Sequence, residues 1–194
     1  PRRIYKAMSK KITFASLLTL IRIACIPLIV VIFFSSLENS RPLASFIFIL
    51  AAITDWLDGW VAREYNQISK LGTFLDPVAD KLIVCVSLVL IVQNDPTVIN
   101  TVTAMIIIGR EITISALREW MAEIGERNQL SVIGYAKLKT GLQMFGLAFM
   151  LYKESVINLP IYFIGQIFLI SAAALTLWTM ILYMVKAWPS IQEN

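Results

Sequence analysis

The chain has 194 residues, 58% of them hydrophobic and 15% charged, with a mean hydropathy of +0.73 and a net charge of +4. Soluble domains carry about 25% charged residues, so this composition excludes an ordinary soluble enzyme, and the absence of low-complexity tracts excludes disorder. With no histidine and only two cysteines, zinc sites of the His or multi-Cys kind are excluded as well.

Residues 1–7 are basic and read as a flexible tail or cloning remnant. Lys10, Lys11, Ile12, Ala15, Leu18 and Ile21 suggest a short amphipathic helix on a membrane surface. No small-residue cleavage site follows, so no removable signal peptide is expected. Six spanning helices are predicted next, at about 22–37, 41–65, 74–94, 98–124, 134–153 and 157–186. Only residues 155–185 form a charge-free run of full spanning length. The other five helices reach that length by taking charged ends into the membrane. The fold class expected for residues 1–194 is therefore a single all-α integral membrane domain: six transmembrane helices preceded by an N-terminal amphipathic juxtamembrane helix.

Placing the N-terminus inside leaves only Arg41 and Lys153, of 17 basic residues, in or beside the outer loops. The positive-inside rule then turns the charged helix ends to the cytoplasm. The basic balance is read as contact with a membrane surface and its lipids, with no nucleic acid partner. Cys25 and Cys85 lie in apolar runs and read as packing residues. Arg22, at the predicted inner start of helix 1, is assigned to substrate or lipid headgroups.

The chemistry is concentrated in two segments. Residues 54–63 read Thr-Asp-Trp-Leu-Asp-Gly-Trp-Val-Ala-Arg, and residues 72–81 read Gly-Thr-Phe-Leu-Asp-Pro-Val-Ala-Asp-Lys. Asp55 and Asp58 share a helix face with Gly59 and Ala62, and Gly72, Asp76 and Asp80 step by four along another. Two consecutive helices thus bring four carboxylates to the inner third of the membrane. Each intramembrane charge costs several kcal/mol unless compensated. Flanking cations look too few for simple pairing, since Lys81 points about 100° away from Asp80 on an ideal helix. Oxygen-only ligands suit Mg²⁺ or Mn²⁺, and two such ions balance four carboxylates. Gly59, Ala62 and Gly72 leave room for a bulky group, and Arg63 offers a bidentate fork for phosphate. Together these features describe a site for a phosphorylated, nucleotide-bearing substrate. A proton or ion transporter and tight structural packing are the competing readings.

The pattern D-x-x-D-G-x-x-A-R, eight residues, then G-x-x-x-D-x-x-x-D resembles the signature of the CDP-alcohol phosphotransferases. Asp55, Asp58, Gly59, Ala62, Arg63, Gly72, Asp76 and Asp80 fill its fixed positions. The resemblance implies a six-helix membrane enzyme, a homodimer, with its site facing the cytoplasm. It also implies that Asp55, Asp58 and Asp76 hold metals and that Asp80 contacts metal while serving as general base. The CDP moiety would lie along Asp55, Asp58, Gly59, Ala62, Arg63, Gly72, Thr73 and Asp76.

The acceptor is read from later residues. Arg110 and Arg118 are eight apart and can share a helix face, and Lys137 and Lys139 open helix 5 at the same surface. Four cations suggest an anionic acceptor. Against that, the lysines could be ordinary inner-surface anchors, and Arg110 could simply pair with Glu111 or a buried Asp. Residues 109–124, Lys137-Leu-Lys-Thr140, Asp-Pro-Val-Ala-Asp-Lys and the early Leu-Leu-Thr-Leu-Ile-Arg are similar to bacterial family members that use sn-glycerol 3-phosphate. One departure is Ala136, where such members often have Gly. This resemblance implies phosphatidyl transfer from CDP-diacylglycerol, with release of CMP, in the bacterial cytoplasmic (inner) membrane. Serine, inositol phosphate and phosphatidylglycerol remain alternative acceptors.

Overall fold

A computed structural model describes residues 14–64, 70–124, 135–155 and 159–193. Of residues 14–16, 56–64, 70–74, 135–137, 186–187 and 189–193 it describes the helical backbone alone. Six helices run in order: α1 Phe14–Phe33, α2 Ser40–Glu64, α3 Lys70–Asn94, α4 Val98–Glu123, α5 Tyr135–Tyr152 and α6 Ile161–Glu193. The all-helical expectation holds among the described residues, which form six helices where the sequence predicts six spans and a separate surface helix.

The boundaries differ by four residues or more at both ends of α1 and α6 and at the start of α3, which begins at Lys70. The expected surface helix is not separate: residues 14–21 are the first turns of α1, which continues unbroken to Phe33. The apolar spacing of Ala15, Leu18 and Ile21 extends into the following run, so one helix accommodates both. Lys10, Lys11 and Ile12 lie outside the described residues, as do residues 1–7. At the other end α6 continues past 186 to Glu193.

Two helical segments are long and apolar enough to cross a membrane, Val98–Glu123 and Ile161–Val185, and Leu17–Phe33 is apolar but shorter. Large apolar side chains face outward along the helices, among them Val31, Met105, Phe163, Trp178 and Val185. Such a surface suits a hydrocarbon solvent.

Helix α1 packs on α2 and α3, α2 on α5, α3 on α4 and α5, α4 on α6, and α5 on α6. Ile29, Phe48, Leu88, Ile107, Leu147 and Leu151 form the main core, with Cys25 packed against it. Both cysteines are free and partly buried, and the packing reading is met by Cys25. A smaller cluster of Ile114, Leu117, Met121 and Tyr183 joins the ends of α4 and α6.

The end of the bundle that holds the α1–α2 and α3–α4 turns is tied by polar groups. Tyr162 donates to Asp95 Oδ2 at 2.7 Å, and Asn100 Nδ2 donates to the same atom at 2.9 Å. Gln166 Nε2 completes the set by donating to Asn100 Oδ1 at 2.9 Å. Arg41 donates to Asn94 and lies 3.6 Å from the Phe33 ring centroid. These contacts fix the helix ends opposite the carboxylates.

The α5–α6 seam depends on two glycines. A Cβ on Gly165 would lie 2.8 Å from Phe149 Cβ and 2.9 Å from the Gly146 carbonyl oxygen. Small residues let membrane helices approach closely without a hydrophobic driving force. Gly141, on the same helix as Gly146, has open space at its Cβ position. Gly165→Ala should therefore destabilise the bundle by about 2 kcal/mol through overpacking. Gly141→Ala should be neutral or slightly stabilising, and thermal unfolding of the two variants in detergent separates them.

Candidate active site

The polar cavity is lined by α2 to α5, and α1 contacts its carboxylates. Thr19 and Arg22 lie three residues apart on α1, and Asp76 and Asp80 lie four apart on α3, so each pair occupies one helix face. The two helices run in the same direction, and their stripes meet in register. Thr19 Oγ1 donates to Asp76 Oδ1. Arg22 Nη1 donates to Asp80 Oδ1 at 2.6 Å and reaches Asp55 Oδ1, on α2, at 2.9 Å. The Arg22 side chain is 1% exposed, whereas Asp55 and Asp80 are 39% and 40% exposed.

This geometry corrects two sequence expectations. Arg22 lies two turns inside α1, not at its start, and is buried against carboxylates instead of reaching lipid headgroups. The carboxylates also have more cationic company than expected: Arg22 pairs with two of them, and Lys81 lines the same cavity as Asp80. Thr19 is a residue that sequence reasoning missed. Its only signal is its spacing from Arg22 on a helix face.

The cavity measures about 630 Å³. Asp55, Asp76 and Asp80 contribute carboxylates to it from α2 and α3. Arg110 and Arg118 contribute cations from α4, and Lys139 contributes one from α5. Glu111 lies among those cations. Its Oε1 is 2.6 Å from Arg110 Nη1 and 3.7 Å from Lys139 Nζ. The alternative that Arg110 pairs with Glu111 is thus met, yet one carboxylate serves two cations, and Arg110 Nε is buried without a hydrogen-bond partner among the described residues. Lys139 is 5% exposed, so it is not an inner-surface anchor.

Six predicted site residues come together here: Asp55, Asp76, Asp80, Arg110, Arg118 and Lys139. Asp58, Gly59, Ala62 and Arg63 lie on α2, Gly72 and Thr73 on α3, and Lys137 on α5. The side-chain positions of these seven residues are outside the described set. Among the described residues no three acidic side chains close around a common metal position. The available donors are nonetheless all hard oxygens in one cavity, and with Asp58 on the same helix as Asp55 they match the ligand chemistry of Mg²⁺ or Mn²⁺.

The chain belongs to the CDP-alcohol phosphatidyltransferase family, which it matches over residues 12–178. Its relatives are specific. It is 45% identical to the CDP-diacylglycerol–glycerol-3-phosphate 3-phosphatidyltransferase of Haemophilus influenzae, over 91% of this chain and 94% of that protein. It is 44% identical to the protein of the same name from Wigglesworthia glossinidia brevipalpis, over 91% of this chain and 96% of that one. The Shigella flexneri protein of that name is 43% identical over 89% and 93% respectively. The family and the two membrane-capable helices together identify a membrane protein.

Removing Arg22 leaves Asp55 and Asp80 facing each other without their shared partner. Arg22→Met should lower stability by about 2 kcal/mol, less than the 3–5 kcal/mol for stranding a fully buried ion, because both carboxylates are partly exposed. Thermal unfolding of the purified variant measures this loss.

Proposed function

We propose that this chain transfers the phosphatidyl group of CDP-diacylglycerol to sn-glycerol 3-phosphate, giving phosphatidylglycerol phosphate and CMP. The observation that carries the reading is one cavity with carboxylates from α2 and α3 and cations from α4 and α5. The carboxylates suit a metal-chelated pyrophosphate, and the cations suit a phosphorylated acceptor. The names of the relatives support the same pair of substrates.

Asp55, Asp58, Asp76 and Asp80 hold two divalent ions, Mg²⁺ or Mn²⁺. Such ions, when bound, share the charge of the pyrophosphate and polarise the reacting phosphorus. Gly59, Ala62, Gly72 and Thr73 give the CDP moiety close access to the helices, and Arg63 binds its phosphate. Arg110, Arg118, Lys137 and Lys139 bind the phosphate of the acceptor. Arg110, Arg118 and Lys139 outnumber Glu111 and Glu119 on this side of the cavity, and Lys137 adds a further cation for the phosphate.

Asp80 takes the proton from the acceptor's 1-hydroxyl, a role no histidine in this chain can fill. The hydroxyl oxygen then bonds to the phosphorus that carries diacylglycerol. The bond from that phosphorus to the CMP oxygen breaks, and CMP departs with the electron pair. Arg22 fixes Asp80 from behind through the 2.6 Å contact. In this reading all six helices of a single domain span a bacterial cytoplasmic membrane, the cavity opens to the cytoplasm, and the protein works as a homodimer. The acyl chains of the donor remain in the surrounding lipid.

Purified protein given labelled CDP-diacylglycerol and each acceptor in turn should form product with glycerol 3-phosphate and release CMP only with divalent metal present. Turnover with serine, inositol phosphate or phosphatidylglycerol instead would reassign the acceptor. Asp80→Asn should lower kcat by about 10²–10⁴-fold, the usual contribution of a general base. CMP binding by the same variant, measured by calorimetry, should change little. Lost nucleotide binding with normal turnover of bound donor would refute the base assignment.

A further inference from the structure

Gln143 is a polar cavity residue that the reaction above leaves unused. It lies four residues beyond Lys139 on α5, on the same helix face and about 6 Å farther along the axis. It lines the cavity and is only 5% exposed. Among the described residues nothing hydrogen-bonds to its side-chain amide. Neither amide atom is among the side-chain atoms sealed from solvent without a partner, so the amide opens to the cavity. A ligand that fills the cavity strips water from it, and an amide then left unpaired costs about 1–3 kcal/mol.

The chemistry of the amide limits its ligand. It offers a donor and an acceptor together, as a hydroxyl does. A phosphate oxygen accepts only and would leave the Gln143 carbonyl oxygen unmatched. Phosphate also has better partners nearby in Arg110 and Lys139, which lie within reach of a common Glu111 oxygen. The one-turn offset between Lys139 and Gln143 is comparable with the separation of phosphate and hydroxyls in a three-carbon acceptor. The terminal hydroxyl must face Asp80 to lose its proton, which leaves the secondary hydroxyl for Gln143.

We propose that Gln143 determines acceptor specificity by hydrogen-bonding the C2 hydroxyl of the acceptor, while the α4 and α5 cations hold its phosphate. This inference rests on the glycerol 3-phosphate reading. A site built to bond a hydroxyl rejects the analogue that lacks it, because the protein group is then left unpaired.

The test compares glycerol 3-phosphate with 3-hydroxypropyl phosphate, which keeps the attacking hydroxyl and the phosphate but lacks the C2 hydroxyl. The wild type should favour glycerol 3-phosphate by about 30-fold in kcat/KM, given the cost of an unpaired amide. Gln143→Met, which nearly conserves volume, should lose about 10–30-fold with glycerol 3-phosphate through the missing hydrogen bond. Its activity with 3-hydroxypropyl phosphate and its KM for CDP-diacylglycerol should stay within about twofold of wild type, so the preference collapses. An equal loss with both acceptors, or a preserved preference, overturns the role of Gln143 alone. So does a wild type that prefers glycerol 3-phosphate by less than about threefold, a measurement that needs no variant. A wild type that uses neither compound but turns over with another alcohol overturns the acceptor reading, and this inference with it.

Discussion

Carboxylates inside an apolar bundle need positive charge close by, and the position of Arg22 shows how this chain begins to supply it. A single guanidinium from α1, 1% exposed, meets Asp55 from α2 and Asp80 from α3. Thr19, one turn earlier, meets Asp76. Three helices are therefore held at one end by polar contacts that only one relative alignment satisfies. A shift of α1 by one residue would rotate its stripe by about 100° and leave Arg22 facing apolar neighbours. The same contacts that settle helix register also hold the carboxylates at the cavity wall. Stability and site geometry thus rest on the same atoms.

The cavity is divided by charge. Aspartates come from α2 and α3, cations mainly from α4 and α5, and Glu111 and Glu119 of α4 sit among those cations. Mixing of this kind keeps the empty cavity from accumulating one sign of charge. It also leaves the cationic half with positive charge to spare for an anion. The far end of the bundle has a different character. There Asp95, Asn100, Tyr162 and Gln166 hydrogen-bond to one another, so that network contributes rigidity.

The helical class and most helix boundaries are legible in the sequence because long apolar runs broken by short polar segments leave few alternatives. The α4 and α5 starts fall within a residue of expectation. The start of α1 is not legible, because an amphipathic surface helix and the first turns of a deeper helix share one periodicity. The acidic half of the site is legible from Asp55, Asp76 and Asp80, whose spacing forces them onto helix faces. Their partner is not: Arg22 is 33 residues before Asp55 in the chain, and nothing local says which helix packs where. Gln143 escapes notice for a related reason. A neutral amide in a helix is unremarkable until burial and the lack of a partner are both known.

Chain order gives the Arg22 contacts a consequence for biosynthesis. Proteins emerge N-terminus first, so α1 and its guanidinium are made before the helices that carry Asp55 and Asp80. Each acidic segment thus joins the bundle when its counter-charge has already been synthesised. The reverse order would ask two uncompensated acidic helices to wait in lipid for a late-arriving cation, at several kcal/mol for each charge.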